Sequence, residues 1–214
     1  MEKGPWELHD RIFSEEHMYR FIERTAEKSG YVQTKLALPL MKKYHEGQTR
    51  KGEEHIPYIY HPLLMACHAC ALGLHEDALI ASILLHDVCE DCGIEPEELA
   101  VDTLVRETVR TLTYKRLEGE TWKTAHDRYY AGIAESRLAT IIKIIDRCNN
   151  ISTMMSSFSK DRMINYINET EKYIMPLLDR LKFGFEGRYY DIAFLLKYQM
   201  LSMIDTIQHA IRGR

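Results

Sequence analysis

The stretch Ala81-Ser-Ile-Leu-Leu-His-Asp-Val-Cys-Glu-Asp91 is the most informative segment of this chain. An apolar run ends there on His86 and Asp87, which stand side by side. Burying such polar groups is costly unless they find partners, and a metal ion is the strongest partner for a histidine and an aspartate. Glu90 and Asp91 follow one helical turn later, on the same side of a helix. We therefore expect a metal site at the end of this segment.

Two other segments carry residues that complete the same pattern. His61 lies upstream in Tyr60-His-Pro62, and Asp146 lies downstream in Asp146-Arg-Cys-Asn-Asn150, each on a separate predicted helix. Such mixed nitrogen and oxygen donors suit Mn²⁺, Fe²⁺, Co²⁺ or Zn²⁺ better than Ca²⁺. An ion with five or six ligands would keep room for water and a substrate oxygen. The sequence thus predicts one site drawn from three helices, with the ligands His61, His86, Asp87 and Asp146.

The rest of the chain has the pattern of an all-α protein. Only six prolines and eleven glycines interrupt 214 residues, and long stretches have helical periodicity. We expect a helical bundle without a convincing strand, with helices over about 76–89, 96–107, 134–155, 159–182 and 188–211. The length fits a single domain over residues 1–214. Its metal-site core would cover about 30–155, followed by a helical tail at 156–214.

Composition narrows the classes of function. Hydrophobic residues make up 45% and charged residues 28% of the chain, which is an ordinary globular balance. A net charge of −4 argues against a protein that coats nucleic acid, since those usually carry a basic excess. No apolar run reaches the roughly 18 residues that span a bilayer, and the N-terminus has no apolar signal core. The odd count of five cysteines favours reduced thiols in a cytoplasmic protein.

The cysteines offer a competing metal site. Cys67 and Cys70 form one Cys-x-x-Cys pair, and Cys89 and Cys92 form another. Eighteen residues separate the two pairs, which is a zinc-site spacing. No turn-forming residue lies between Cys67 and Cys70, and small cysteines are common inside packed helices. The spacing leaves a structural zinc open as an alternative, but the sequence favours the histidine and aspartate site.

Four segments together resemble a known family. They are Arg50-Lys51, Pro57-Tyr-Ile-Tyr-His-Pro62, Leu84-Leu-His-Asp-Val-Cys-Glu-Asp91 and Ile142-Lys-Ile-Ile-Asp-Arg-Cys-Asn-Asn150. The chain resembles the HD-domain phosphohydrolases over roughly residues 30–155. Within that superfamily it is similar to the (p)ppGpp hydrolase domains of RelA/SpoT-type proteins and to their small single-domain relatives. The resemblance implies an HD-domain helical bundle.

The resemblance also implies a reaction and a role for each matching residue. The four ligands named above would hold Mn²⁺, while Glu90 and Asp91 would activate the attacking water. Arg50 would pack against the guanine base, Lys51 would contact the nucleotide nearby, and Asn150 would contact its sugar or base. The reaction would be hydrolysis of the 3′-pyrophosphate of (p)ppGpp, which gives GDP or GTP and pyrophosphate.

Other readings of the same residues stay open. Lys115 and Arg116, in a charged loop, are either solvated or bind the phosphates of the substrate. The site could serve another nucleotide, as an HD-type nucleotidase or phosphodiesterase does, or the chain could be a nucleotide sensor without catalysis. In each case the expected partner is a small nucleotide, with neither nucleic acid nor membrane involved. The sequence does not fix the oligomeric state.

Overall fold

The computed structural model describes residues 14–50 and 53–213, and most of them lie in helices. The prediction of an all-α bundle is therefore confirmed. The helices, in chain order, are α1 Glu15–Ser29, α2 Val32–Tyr44, α3 Tyr60–Ala71, α4 Asp77–Leu85, α5 Val88–Cys92, α6 Thr103–Leu112, α7 Trp122–Glu135, α8 Arg137–Ser157, α9 Lys160–Glu169, α10 Met175–Phe183 and α11 Tyr190–Arg212.

A short hairpin corrects the expectation that the chain has no strand. β1, Thr49–Arg50, pairs antiparallel with β2, Glu53–Pro57. The amide of Tyr58 then donates to the carbonyl of Gln48 at 2.9 Å, which closes the hairpin. β1 has only two residues, and β2 has no alternation of apolar and polar residues, so periodicity could not predict the hairpin. The hairpin matters because it carries Arg50 towards α8.

The core of the bundle forms around α4 and α8. Every residue of α4 from Ala78 to Leu85 is buried, and α2 lies along it. The carboxylate of Asp77 caps α2, because it accepts the amides of Gln33 at 2.9 Å and Thr34 at 2.7 Å. The helix α8 contacts α3, α4, α6, α7, α10 and α11. Since α3, α4 and α8 also carry the predicted ligands, the packing of the core sets the geometry of the site.

The predicted helix over 76–89 is wrong in one respect, because it breaks at the two residues of most interest. α4 ends at Leu85 and α5 begins at Val88, so that His86 and Asp87 form the junction. The imidazole Nδ1 of His86 donates to the carbonyl of Ile83 at 2.8 Å. In a continuous helix that carbonyl would accept the amide of residue 87. The side chain of His86 thus takes the hydrogen-bond acceptor that the amide of residue 87 would have used in a continuous helix.

Two further helix predictions need correction. The segment predicted as a helix over 96–107 is a 3₁₀ turn at Pro96–Glu98, and α6 begins only at Thr103. The carboxylate of Asp102 accepts a hydrogen bond from the amide of Val105 at 2.9 Å and caps the start of α6. The helical pattern of the sequence runs through this position, but the cap sets the helix boundary there. The predicted helix over 159–182 is interrupted by a π turn at Thr170–Ile174. There Arg147 of α8 donates to Thr170, which ties the widened turn to the core.

The last helix packs back onto the core. α11 contacts α8 and α10, so the helical tail is joined to the helix that carries Asp146. Among the helices of the described residues, none combines the length and the apolar character that a membrane span requires.

Candidate metal centre

Three elements bring the predicted ligands together. His61 lies in the first turn of α3, His86 and Asp87 at the junction of α4 and α5, and Asp146 in the middle of α8. Nε2 of His61 lies 3.2 Å from Oδ1 of Asp146 and 3.8 Å from Oδ2 of Asp87. Nε2 of His86 lies 2.9 Å from Oδ2 of Asp87 and 4.0 Å from Oδ1 of Asp146. The two Nε2 atoms and a carboxylate oxygen of Asp146 thus form one group whose atoms lie within 4.8 Å of one another, and Oδ2 of Asp87 lies against both nitrogens.

Both imidazoles are held in the orientation that a metal ligand needs. Nδ1 of His61 lies 2.6 Å from Oδ1 of Asn149, and Nδ1 of His86 lies 2.8 Å from the carbonyl of Ile83. Both partners are acceptors, so each Nδ1 is a donor that carries a proton, and binding of a metal ion through Nε2 requires the ring to be neutral. Each Nε2 then keeps a free lone pair. Hydrogen bonds of this kind commonly fix the tautomer of ligating histidines.

The contacts within the site fit a cation. Nε2 of His86 is buried and has no hydrogen-bond partner, although Oδ2 of Asp87 lies near it. A lone pair facing a carboxylate is unfavourable unless a proton or a metal ion lies between them. Burial lowers the pKa of His86, but the charges of Asp87 and Asp146 outweigh that effect and raise it to about 9. The site thus favours positive charge, and its two nitrogens and two carboxylates fit a transition metal ion.

Two cationic or polar groups orient the carboxylate of Asp146. Nζ of Lys143 donates to Oδ2 at 3.2 Å, and the amide nitrogen of Asn150 donates to Oδ1 at 2.6 Å. Burial acts to raise the pKa of Asp146, but Lys143 and the hydrogen bond with His61 hold it well below the ordinary value. This carboxylate is therefore an anion that points Oδ1 towards the imidazoles.

Tyr58 orients the other carboxylate. Its hydroxyl donates to Oδ2 of Asp87 at 2.6 Å, and its ring stacks on that of His45 at a centroid distance of 4.5 Å. Burial, and then the charge of Asp87, raise the pKa of Tyr58 far above the ordinary value, so the phenol keeps its proton. Tyr58 thus fixes the carboxylate oxygen that lies nearest to His86.

Glu90 and Asp91 lie beside the site on α5. The amide of Asp91 donates to the carbonyl of Asp87 at 2.8 Å, which confirms that one helical turn separates them. Oε2 of Glu90 accepts the amide of Tyr114 at 3.0 Å. The pKa of Glu90 is raised, mainly because burial removes the carboxylate from water. The hydrogen bond from the amide of Tyr114 acts to lower this pKa, and the negative charge of Asp87 acts to raise it further. A carboxylate with a raised pKa next to a metal site is suited to accept a proton.

A polar cleft of about 460 Å³ opens beside these residues. Nη2 of Arg50 reaches across it and donates to Oδ1 of Asn150 at 3.2 Å and to Oγ1 of Thr153 at 3.3 Å. On the other side the guanidinium of Arg162 lies 3.8 Å from the ring centroid of Phe158. Tyr58 and Asp91 form the end nearest the ligands. The cleft combines cations, an aromatic face and amides, which are the groups that bind a nucleotide.

The remaining predicted substrate-binding residues either lie away from the polar cleft or fall outside the residues that the structure describes. Lys51 is outside the described residues. The guanidinium of Arg116 lies 4.9 Å from the ring centroid of Trp122, and the carbonyl of Lys115 accepts Nη2 of Arg128 at 2.6 Å. Neither Lys115 nor Arg116 lines the polar cleft. Their loop nevertheless begins at Tyr114, which contacts Glu90.

The alternative zinc site is not formed within the described part of the chain. Its cysteines are free thiols. The group that could hold an ion among the described residues consists of His61, His86 and Asp146 and contains no cysteine. Cys92 instead donates to the carbonyl of Tyr44 at 3.2 Å. The cysteine spacing is that of a zinc site, but the zinc alternative is wrong. Cys67 and Cys70 lie within one packed helix, and Cys89 and Cys92 within another, rather than on tight turns.

A second and larger cavity, of about 870 Å³, lies behind α8 between α1, α3 and α11. Its walls are largely apolar and include Phe21, Leu64 and Met203. The smaller cleft is the better candidate for chemistry, because it alone includes Tyr58 and Asp91, which lie beside the ligands.

Sequence reasoning undervalued the residues that hold the ligands in place. Tyr58, Lys143 and Asn149 each form a hydrogen bond with a predicted ligand, and none of them is among the predicted site residues. Lys143 and Asn149 lie three residues before and after Asp146, and this helical spacing could have indicated that they share its face. For Tyr58 the sequence offered only its position near His61.

No protein-family model matches the chain, but several curated proteins are similar to it. The guanosine-3′,5′-bis(diphosphate) 3′-pyrophosphohydrolase of Aquifex aeolicus is 30% identical over 153 residues, which cover 68% of this chain and 21% of the relative. The protein of the same name from Haemophilus influenzae is 32% identical over 64% of this chain and 21% of its own length. The bifunctional (p)ppGpp synthase/hydrolase SpoT of Escherichia coli is 27% identical over 79% of this chain and 27% of its own.

The chain thus spans between a fifth and about a quarter of the length of these relatives. The similarities confirm the resemblance to the RelA/SpoT-type (p)ppGpp hydrolases that the four sequence segments indicated.

Proposed function

We propose that this homologue of the RelA/SpoT-type hydrolases is a divalent-metal-dependent phosphohydrolase that removes pyrophosphate from the 3′ position of (p)ppGpp. The observation that carries the proposal is the convergence of His61, His86, Asp87 and Asp146 on one volume. The adjacent pair Glu90 and Asp91 and the cationic cleft support it. The names of the relatives supply the choice of nucleotide.

The metal centre would be formed by His61 and His86 through Nε2 and by Asp87 and Asp146 through a carboxylate oxygen. A divalent ion bound there would polarise a phosphoryl oxygen and lower the pKa of a water molecule. The donor set suits Mn²⁺, which we propose as the physiological ion, and Fe²⁺, Co²⁺ and Zn²⁺ are compatible with it.

Other side chains would accept the proton of the attacking water and orient the ligands. Glu90 or Asp91 would accept the proton of the attacking water, since both lie within a helical turn of the ligands. The oxygen of that water would bond to the phosphorus attached to the 3′ oxygen, and the bond between this phosphorus and the 3′ oxygen would break. The 3′ oxygen would then regain a proton as a hydroxyl, and pyrophosphate would leave. Lys143 would hold the orientation of Asp146 through its hydrogen bond to Oδ2.

The polar cleft would hold the nucleoside end of the substrate. Arg50 can stack on a base and Asn150 can donate to a sugar or base oxygen, while the second cation, Arg162, faces the same space. Lys51 lies next to Arg50 in the chain and belongs to the same proposal. Lys115 and Arg116 would act only if their loop moves towards the phosphates.

We further propose that the protein works in the cytoplasm on a small nucleotide, without nucleic acid or membrane. The free thiols among the described residues are compatible with a reducing compartment.

A nucleotide panel tests the proposal. The purified chain is incubated with Mn²⁺ and with ppGpp, pppGpp, a deoxynucleoside monophosphate or a cyclic dinucleotide, and products are separated by ion exchange. Pyrophosphate with GDP or GTP supports the proposal. Orthophosphate from a monophosphate, or opening of a cyclic dinucleotide, would assign the site to another HD-type reaction. Binding of ppGpp without turnover would indicate a sensor. Asp87→Ala is the matched control, and turnover in this variant would remove the metal mechanism.

A further inference from the structure

We propose that Asn149 is a positioning residue of the metal centre, which fixes the tautomer and the orientation of His61. The proposal deepens the proposed function, on which its metal-dependent part rests. Asn149 does not contact the space in which the ligands converge. It acts through the opposite edge of the imidazole.

The contact is short and enclosed. Nδ1 of His61 lies 2.6 Å from Oδ1 of Asn149, and the two residues are 1% and 7% exposed. The neighbouring rings of Tyr58 and His86 lie at centroid distances of 6.1 Å and 5.3 Å and meet His61 edge-on or tilted. Within the part of the chain that the structure describes, Asn149 is thus the acceptor that Nδ1 contacts. Water has little access to replace it.

This bond determines which nitrogen of His61 carries the proton. A neutral imidazole has one donor and one acceptor, so an acceptor placed at Nδ1 leaves the lone pair on Nε2. Nε2 is the atom that lies 3.2 Å from Oδ1 of Asp146. Without Asn149 the proton could move to Nε2, where it would donate to Asp146 and occupy the direction of a metal bond.

Packing does not explain why an asparagine stands here. Asn149 also lines the large cavity behind α8, whose walls are mostly apolar. A carboxamide in such a wall is costly unless it is hydrogen-bonded, and an aliphatic side chain would cover the same surface without that cost. The bond to His61 offsets the cost, which assigns the residue to the metal centre.

The test compares three variants of the folded chain. Asn149→Leu removes the acceptor and keeps the branched shape of the side chain, while Asn149→Asp keeps an acceptor. Gln199→Leu is the control, because Gln199 lines the same cavity and contacts Cys148 rather than a ligand. Affinity for Mn²⁺ is measured by titration calorimetry, and the tautomer of His61 by ¹⁵N NMR of metal-free protein in alkaline buffer. Thermal melting shows whether each variant is folded.

We expect Asn149→Leu to bind Mn²⁺ about 10- to 100-fold more weakly than the wild type, which is usual for a lost partner of a ligating histidine. Its His61 should no longer be held as the Nδ1–H tautomer. Asn149→Asp should bind at least as tightly as the wild type, and Gln199→Leu should match it. Unchanged affinity in folded Asn149→Leu would overturn the proposal. So would a tenfold loss in Asn149→Asp, even if the leucine variant is unstable.

The NMR measurement separates this proposal from the proposed function. If the wild type binds no Mn²⁺ while Asn149→Leu still loses the Nδ1–H tautomer, the metal function is wrong and the positioning of His61 stands. If the wild type binds Mn²⁺ and the tautomer is the same in both proteins, the positioning role is wrong and the metal function stands.

Discussion

Replacing Tyr58 with phenylalanine removes a single oxygen atom from the support of the metal centre. That hydroxyl donates to Oδ2 of Asp87 at 2.6 Å, and Oδ2 is also the atom nearest to Nε2 of His86. The ring of Tyr58 should keep its stacking on His45, since phenylalanine has the same shape. The substitution therefore tests the hydrogen bond alone.

The size of the effect follows from the charge of the acceptor. A hydrogen bond to a charged group contributes about 1.5–3 kcal/mol, and each 1.4 kcal/mol corresponds to about a tenfold change in affinity. If the bond holds the carboxylate in its metal-binding position, Tyr58→Phe should weaken Mn²⁺ binding by roughly 10- to 150-fold. The free energy of unfolding of the metal-free protein should change less, because the packing of the ring remains.

Calorimetric titration with Mn²⁺ measures the first quantity, and urea unfolding in the presence of chelator measures the second. Tyr198→Phe is a suitable control, because Tyr198 is 65% exposed on α11, away from the ligands. An affinity within twofold of the wild type in a stably folded Tyr58→Phe would refute the reasoning. It would mean that Asp87 keeps its orientation without the phenol.

Three other substitutions probe the proton acceptor, the cleft and the fold. Glu90→Gln should leave Mn²⁺ binding intact and lower kcat about 10²- to 10⁴-fold. At saturating Mn²⁺ the wild-type rate should fall as the pH drops through the raised pKa of Glu90, and the variant should lack that limb in its pH profile. Arg50→Met should raise KM for ppGpp with little change in kcat, and an unchanged KM would remove Arg50 from the binding site. Arg147→Met should lower the free energy of unfolding in urea by about 3–5 kcal/mol, because it leaves Glu169 without its buried cation; a loss under 1 kcal/mol would contradict this.

The sequence predicted that the four proposed ligands point inward, because each lies on a strongly apolar helix or directly after one. His86 and Asp87 follow a run in which every residue is buried, so this polar pair needs a hydrogen-bonding or metal partner. Asp146 follows Ile144 and Ile145, both fully buried. Helical periodicity therefore predicted both the all-α fold and the inward direction of these side chains.

The same reasoning could not predict contacts between distant segments. The bond from Tyr58 to Asp87 and that from His61 to Asn149 depend on how α3, the hairpin and α8 pack, which no local pattern encodes. The break at residues 86 and 87 also escaped it, because it results from a side chain taking a backbone carbonyl. Periodicity reports which face of a helix is buried, but it does not report which polar groups meet there.

The proposed reaction depends most on the binding of one divalent ion by four side chains. A crystal of the chain soaked in Mn²⁺, with diffraction recorded at the manganese absorption edge, measures this directly. We predict one anomalous peak within bonding distance, about 2.0–2.3 Å, of Nε2 of His61 and His86 and of a carboxylate oxygen of Asp87 and Asp146. A peak bound elsewhere, or a site without a peak in crystals that keep the two imidazoles facing each other, would contradict the account.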